Sequence, residues 1–225
     1  TCALPISIRY AVDNGAQVIN MSFGKSFSPE KKWVDEAVKY AESKGVLLVH
    51  AAGNDAKNLD TSYNFPTPLL LDGKRPDNWI TVGASGDPKL GGITASFSNY
   101  GKNEVDVFAP GVKIYATLPG GNSYGNLQGT SMASPVVAGL AALIMEYFPT
   151  LSARQVKQVI EKSSKNPGVK VKDPGTDEDT DLLNLSRTGG VINAYEAVKL
   201  ASTMKGEKKA PIVKPTTIVK PKPKS

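Results

Sequence analysis

The chain has 225 residues, 40% of them hydrophobic, which is enough for one globular domain with a sizeable core. Seven Lys and one Glu in residues 201–225 account for the whole net charge of +6, so residues 1–200 are neutral overall. This neutral body has no basic stripe interleaved with aromatic residues, which argues against nucleic-acid binding. One cysteine, Cys2, excludes an internal disulfide framework and a cysteine-based zinc cluster.

The first quarter of the chain alternates between helix and strand patterns. Apolar residues at helical spacing predict a helix over residues 6–14, and the β-rich residues 18–22 predict a strand. Ser28, followed by Pro and Glu, predicts the N-cap of a helix that ends at Gly45. The continuous apolar run at residues 46–49 predicts a strand buried on both faces, as in a parallel sheet.

The rest of the body continues this α/β pattern. Further strands are predicted at residues 80–84, 105–108 and 114–117, between loops rich in Gly, Pro, Asn and Asp. Helices are predicted at residues 131–147, 152–162 and 193–201. Strand and helix in alternation predict the α/β fold class, with a mostly parallel sheet flanked by helices.

Composition divides the chain into three parts. Residues 8–203 form the folded body, and residues 1–7, which include Cys2 and Pro5, are an atypical start that suggests a truncation or a foreign junction. Residues 204–225 are rich in Lys and Pro, a composition that stays extended and cannot bury a core. We interpret this tail as a solvated spacer, with a polybasic contact to a membrane or cell wall as the alternative.

The strongest chemical signal is Gly-Thr-Ser-Met-Ala-Ser-Pro at residues 129–135. It places Ser131 at the start of an apolar helix, where the first N–H groups have no intrahelical acceptor and the helix dipole is positive. Negative charge that develops beside Ser131 is therefore stabilised, and close packing of the helix would hold such a nucleophile rigid. Taken alone, Ser131 would be better interpreted as an ordinary helix N-cap.

This segment resembles the serine motif of the subtilisin-like serine proteases. Five further segments are similar to that family, and they are Val-Ile-Asn-Met-Ser-Phe-Gly at 18–24, Ala-Ala-Gly-Asn at 51–54, Ala-Ser-Phe-Ser at 95–98, Ala-Pro-Gly at 109–111 and Gly-Val-Ile-Asn-Ala at 190–194. The resemblance covers the C-terminal two-thirds of the family's catalytic domain. It implies a three-layer subtilisin-like fold whose N-terminal part is missing from the chain.

The resemblance also implies a serine endopeptidase that hydrolyses peptide bonds through an acyl-enzyme on Ser131. The Asn54 side-chain amide and the Ser131 backbone N–H would form the oxyanion hole. Taken alone, Asn54 could be a turn residue. The family resemblance further implies a set of substrate-binding residues, which are Ser22, Phe23, Gly24, Ala51, Ala52, Gly53, Gly129 and Thr130. The small-residue wall formed by residues 51–53 beside Phe23 suits a large apolar side chain before the cut.

The chain departs from the family because it contains neither the aspartate motif nor the histidine motif of the catalytic triad. The single histidine, His50, matches a non-catalytic position inside a strand, and we interpret it as a structural residue rather than a base. Asp13, Asp55 and Asp106 do not lie in the family's aspartate motif. We therefore expect the triad aspartate and histidine upstream of Thr1, and we expect the chain alone to be inactive.

Two alternatives to a protease remain at this stage. One is a non-catalytic, protease-like module that keeps the peptide groove; the presence of both Ser131 and Asn54 argues against it, because a binding module needs neither group. The other is an inactive fragment too incomplete to fold stably, since a missing segment would leave sheet edges and apolar surface exposed.

No cofactor or metal site is predicted, although calcium in the full-length protein is left open. The acidic residues 173–181 fit no EF-hand loop and are interpreted as a solvated insertion. The longest apolar run, residues 136–145, is about half the length of a membrane-spanning helix, so no membrane span is expected. By family resemblance we expect polypeptide substrates, a propeptide, a monomer, a secreted or envelope location and a cis Phe65–Pro66 bond.

Overall fold

A computed structural model describes residues 3–87 and 92–208, and Cys2 and most of the Lys/Pro-rich tail lie outside these residues. In chain order the elements are α1 (Ala3–Asp13), β1 (Val18–Met21), α2 (Lys31–Ser43), β2 (Leu47–Ala51), β3 (Trp79–Ser85), β4 (Val107–Pro110), β5 (Ile114–Leu118), β6 (Ser123–Leu127), α3 (Thr130–Tyr147), α4 (Ala153–Ser163), β7 (Val171–Lys172), β8 (Asp179–Thr180), a 3-10 helix (Leu182–Asn184) and α5 (Ala194–Thr203). The fold class is therefore α/β, as predicted.

Four parallel strands form the main sheet, in the order β1-β2-β3-β4. Every residue of β2 and β3 is buried. Helices cover both faces of the sheet, which is why the sequence of these two strands is nearly continuous in apolar residues rather than alternating. β1 has a neighbour on one side only, so its outer edge is open in the described part of the chain.

The core is divided between the two faces of the sheet. Leu47 and Val49 of β2 pack with α3 and α4, whereas Leu48 points to the opposite face and packs with α1 and α2. This alternation is the period-two habit of a strand, and it produces the three layers that the resemblance implied. The central helix α3 contacts all four strands of the main sheet.

The length and apolar composition of α3 would also suit a membrane span. In the fold, the apolar residues on one side of α3 are buried against the sheet and the neighbouring helices, where they form part of the core. Helix α3 also carries Ser131 in its first turn. The helix thus serves as the central helix of the domain.

Two helix starts differ from prediction. Helix α1 begins at Ala3 and includes Pro5, which is tolerated because the N–H groups of a first turn have no intrahelical acceptor. Helix α2 begins at Lys31 with Glu30 in the N-cap position and no side-chain cap, so the prediction of Ser28 as N-cap is wrong. The caps of α4 and α5, Ser152 and Asn193, both accept a backbone hydrogen bond from the first turn.

Two small hairpins lie outside the main sheet. Strand β5 was predicted, but it pairs antiparallel with the unpredicted β6, whose sequence Ser-Tyr-Gly-Asn-Leu is mostly polar. The acidic residues 173–181 connect and extend the hairpin β7–β8, where Lys172 and Asp179 form an exposed ion pair at 3.0 Å. The Phe65–Pro66 bond is cis, as expected.

The adjacent valines of α3 provide a test of how the core is packed. Val137 is fully buried between α3 and the sheet, whereas Val136 is 36% exposed. We expect Val137→Ala to lower the free energy of unfolding by about 2 kcal/mol, and Val136→Ala to change it by less than about 0.5 kcal/mol. Urea unfolding of both variants measures this, and equal losses would contradict the placement of α3.

Candidate active site

Ser131 is the second residue of α3 and is half-buried where this helix meets the end of β1. Its Oγ donates a hydrogen bond to the Ser22 carbonyl at 3.2 Å, and the Ser22 Oγ donates to the Ser131 carbonyl at 2.9 Å. These reciprocal bonds fix the first turn of α3 against the chain that leaves β1. The Ser131 side chain is thus fixed by hydrogen bonds at the N-terminal end of the central helix, where the helix dipole is positive.

A second polar contact behind Ser131 strengthens this attachment. The Ser134 hydroxyl, fully buried one turn further along α3, donates to Asn20 Oδ1 at 2.7 Å. The Asn20 amide nitrogen in turn donates to Ser22 Oγ at 2.9 Å. From the sequence, Ser134 was given only a packing role, as a small residue of this helix, and Asn20 was given none, although a polar residue within an apolar strand or helix was the available signal.

Asn54 lies just after β2 and is held by Thr130, the residue that precedes Ser131. Its Oδ1 accepts hydrogen bonds from the Thr130 N–H at 2.8 Å and from the Thr130 hydroxyl at 3.0 Å. A backbone N–H can only donate, so the atom facing it must be the amide oxygen rather than the nitrogen. The Asn54 NH2 group is consequently turned away from Thr130 and is available as a donor.

Thr130 connects Asn54 to the backbone of the preceding loop. Its side chain is fully buried, and its Oγ1 accepts from the Gly53 N–H at 3.0 Å while it donates to Asn54. The Thr130 hydroxyl therefore fixes both the position of Gly53 and the orientation of the Asn54 side chain. We assign Thr130 a positioning role at this point.

The backbone at Gly129 allows the chain to enter α3 at this site. Gly129 has φ +147°, a value that side-chain-bearing residues rarely adopt. Its N–H donates to the Gly111 carbonyl at 2.8 Å, and its own carbonyl accepts from the Met132 N–H at 3.0 Å. A Cβ at this position would lie 3.4 Å from Asn54 Nδ2. The backbone conformation thus requires glycine here, whereas a Cβ would make only an ordinary contact with Asn54.

Asn99 organises the loop that carries Asn54. It is 1% exposed, and its Nδ2 donates to the Ala52 carbonyl at 2.9 Å. Its Oδ1 accepts from the N–H groups of Asp55 at 3.0 Å and Lys57 at 2.9 Å. Sequence reasoning missed Asn99, although it directly follows the Ala-Ser-Phe-Ser segment.

The residues that surround Ser131 line a single cavity of about 200 Å³. The structure brings seven of the ten predicted site residues into its lining, and these are Phe23, Gly24, Ala51, Gly53, Asn54, Thr130 and Ser131. Ser22 contacts Ser131 directly, and Ala52 and Gly129 are buried behind the lining. The cavity also contains Asp55 and Asn64, which were not predicted to take part.

His50 is buried in β2 with 1% of its surface exposed. Its Nε2 lies 2.8 Å from the Phe23 carbonyl, which can only accept, so Nε2 carries the proton. Burial lowers the pKa of His50 from 6.5 to about 4, against a smaller raising effect of the Phe23 carbonyl. The imidazole is therefore neutral at pH 7, and its proton is engaged with the backbone beside the cavity.

The three aspartates considered above lie in different parts of the fold. Asp13 is the last residue of α1 and accepts a hydrogen bond from the Tyr40 hydroxyl. Asp106 is buried just before β4, and its Oδ1 lies 3.3 Å from Arg187 Nε. Asp55 alone lines the cavity. Among residues 3–87 and 92–208, no three His, Cys, Asp or Glu side chains cluster closely enough to hold a metal ion. Calcium binding in a longer protein was left open by the sequence and stays untested.

The chain matches a known family over most of its length. The sequence profile described as the subtilase family matches residues 6–189. Subtilisin DY of Bacillus licheniformis is 42% identical over 168 residues, which cover 74% of this chain and 56% of that protein. Subtilisin of Bacillus pumilus is 42% identical over 160 residues, which cover 70% of this chain and 52% of that protein. This chain thus spans little more than half the length of these two relatives.

A solved structure extends the likeness to the fold. The self-cleaved protease domain of PatA superimposes with a TM-score of 0.67 at 28% identity, over 89% of this chain and 68% of that chain. The superposition agrees with a parallel sheet between helical layers. It therefore matches the architecture that the sequence predicted.

A pair of glycines tests the backbone requirement at the start of α3. Gly129→Ala should lower the free energy of unfolding by about 1–3 kcal/mol, because alanine must adopt a strained conformation at that φ. Gly139→Ala is the control, since it lies within α3 with no heavy atom within 4 Å of the new Cβ. It should stabilise the protein by up to about 1 kcal/mol. A neutral Gly129→Ala in urea unfolding would contradict the described geometry.

The depressed pKa of His50 predicts a pH-dependent stability. Because the folded state disfavours the charged imidazole, the free energy of unfolding should fall as pH drops from about 6.5 to about 4. The slope of this contribution approaches about 1.4 kcal/mol per pH unit and vanishes below pH 4, where both states are protonated.

Comparison with His50→Gln isolates this effect, because glutamine can donate to the Phe23 carbonyl but does not titrate. The wild-type protein should lose stability relative to His50→Gln across that pH window. Parallel curves for the two proteins, or an NMR titration of His50 with a midpoint above 6, would contradict the assignment.

Proposed function

Because this chain belongs to the subtilase family, we propose that it carries the nucleophile and oxyanion-binding part of a serine endopeptidase active site. Ser131 is the nucleophile, and Asn54 Nδ2 and the Ser131 N–H are the oxyanion donors. The observation that supports this most directly is the pair of hydrogen bonds from Thr130 to Asn54 Oδ1, at 2.8 and 3.0 Å. They hold the amide so that its NH2 group is left for a ligand.

The proposed reaction follows from these positions. Ser131 Oγ attacks the scissile carbonyl carbon, and its proton passes to a general base. The carbonyl oxygen becomes negative in the tetrahedral intermediate and is stabilised by the two donors and by the positive end of α3. The C–N bond then breaks, the base returns the proton to the leaving amine, and water hydrolyses the acyl group from Ser131.

The general base must come from outside residues 1–225 in this proposal. His50 is buried and neutral at pH 7, and its Nε2–H is already bonded to the Phe23 carbonyl. In the described part of the chain, Ser131 Oγ donates its hydrogen bond to the Ser22 carbonyl rather than to a base. We propose that an upstream segment supplies the triad aspartate and histidine, and that the chain alone is inactive. The chain covers 56% of subtilisin DY.

A polypeptide substrate would bind along the residues that follow β1. Strand β1 is at the edge of the sheet, and residues 22–24 continue it past Ser131 into the cavity lining. An extended peptide can add to such a segment through backbone hydrogen bonds. Ala51 and Gly53 would form the facing wall, with Ala52 buried behind them. We further propose a secreted or envelope-associated monomer that folds with a propeptide.

One observation favours a different function. The single histidine is engaged with the backbone beside the cavity rather than with Ser131, as expected of a non-catalytic peptide-binding module. Such a module would keep the groove but would not activate Ser131. Covalent labelling of the serine separates the two functions.

Fluorophosphonate labelling followed by mass spectrometry tests the proposed function. With the natural upstream segment present, we expect labelling at Ser131, abolished in Ser131→Ala, and no labelling of the 225-residue chain alone. Asn54→Ala should slow labelling by about 100- to 1,000-fold, a magnitude taken from subtilisin, where loss of one such donor has this effect on turnover.

The matched control is Asn126→Ala, an exposed asparagine on β6 that lies outside the cavity lining. It should label at the wild-type rate. Absence of labelling at Ser131 in the longer protein would favour the binding module. Labelling of the chain alone that disappears in His50→Ala would show that His50 acts as the base, contrary to the proposal.

A further inference from the structure

The cavity beside Ser131 is closed at one side by Asn64, a residue of the loop after β2. Asn64 is half-buried, and its Nδ2 donates to the carbonyls of Ala51 at 3.2 Å and Ala52 at 2.9 Å. These two bonds attach the side chain to the wall formed by residues 51–53. The amide is therefore held in place rather than free to rotate.

The same amide also lies against the opposite wall of the cavity. A Cβ built on Gly24 would be 2.1 Å from Asn64 Oδ1, and a Cβ built on Gly53 would be 3.1 Å from Asn64 Nδ2. Asn64 thus contacts the backbone of both proposed walls at once. A side chain that enters between residues 22–24 and residues 51–53 must meet the Asn64 amide.

A larger cavity lies on the far side of Asn64. It measures about 520 Å³, and its lining includes Asn64 together with His50, Leu59, Tyr63, Phe65 and Leu70. Asn64 is the residue that lines both this cavity and the cavity at Ser131 while contacting both walls. The Asn64 side chain therefore separates the small cavity beside Ser131 from the larger, more apolar cavity on its other side.

We propose that Asn64 restricts the substrate residue before the cut to small side chains such as alanine or serine. The proposal rests on the proposed function of Ser131. A phenylalanine at that substrate position would have to displace the amide and break its bonds to the Ala51 and Ala52 carbonyls. This reverses the expectation from residues 51–53 alone, which favoured a large apolar side chain, because Asn64 fills the space that those small residues leave.

The test uses the protein with its natural upstream segment and two peptide substrates that differ only in alanine or phenylalanine before the cut. The ratio of kcat/KM for phenylalanine over alanine should be about 0.1 or lower for the wild-type protein, and Asn64→Gly should raise it by about tenfold or more. Asn64→Ala should give an intermediate ratio. Thermal melting of each variant shows whether it remains folded.

The control is Asn122→Gly, at the exposed tip of the β5–β6 hairpin, where φ is +33° and glycine is readily accepted. Its ratio should equal that of the wild-type protein. A wild-type preference for phenylalanine, or an unchanged ratio in a folded Asn64→Gly or Asn64→Ala, would overturn the proposal while leaving the endopeptidase function intact. No hydrolysis of either peptide and no fluorophosphonate labelling of Ser131 would overturn both.

Discussion

The junction between Thr130 and Asn54 is the contact on which the arrangement of the site depends. It joins the first turn of α3 to the loop that leaves β2, through hydrogen bonds of 2.8 and 3.0 Å to one amide oxygen. Because the oxygen accepts both bonds, the nitrogen is directed away. The orientation of Asn54, the proposed oxyanion donor, is thus set by the residue that precedes Ser131, the proposed nucleophile.

This junction is supported by the packing of the whole domain. Helix α3 contacts all four strands of the main sheet, and its start is held to the end of β1 by Ser22 and to the loop after β4 by the Gly111 carbonyl. The buried Thr130 hydroxyl donates to Asn54 in the loop after β2, and the buried Ser134 hydroxyl donates to Asn20 on β1. A preorganised polar site of this kind needs no rearrangement when charge develops at a bound substrate.

Local patterns in the sequence were sufficient for the α/β fold class and for a serine at the start of a long apolar helix, whereas the three layers and the role of Asn54 were implied by the family resemblance. The apolar run before residue 51 predicted a doubly buried parallel strand, and the segment at residues 129–135 predicted a serine at a helix start. The hairpin β5–β6 was harder to foresee, because β6 is polar and contains Gly125. Its pairing depends on the turn and on its partner rather than on its own pattern.

The residues that sequence reasoning missed act through long-range contacts. Asn99 bonds to the N–H of Asp55 across 44 residues, and Asn64 bonds to the carbonyl of Ala52 across 12 residues. Each is one asparagine in a loop, where asparagine is common for local reasons. The residue type alone could not distinguish a turn former from a group that supports the loop carrying Asn54 or that lies between two cavities.

In the proposed active site, Asn54 and the first turn of α3 together bind the oxyanion. The sharpest test is a crystal structure of the protein with its natural upstream segment and a peptidyl phosphonate bound to Ser131. We expect a phosphonate oxygen about 2.7–3.1 Å from both Asn54 Nδ2 and the Ser131 N–H, with Asn54 Oδ1 still bonded to Thr130. A phosphonate oxygen directed to solvent, or an Asn54 amide released from Thr130, would contradict it.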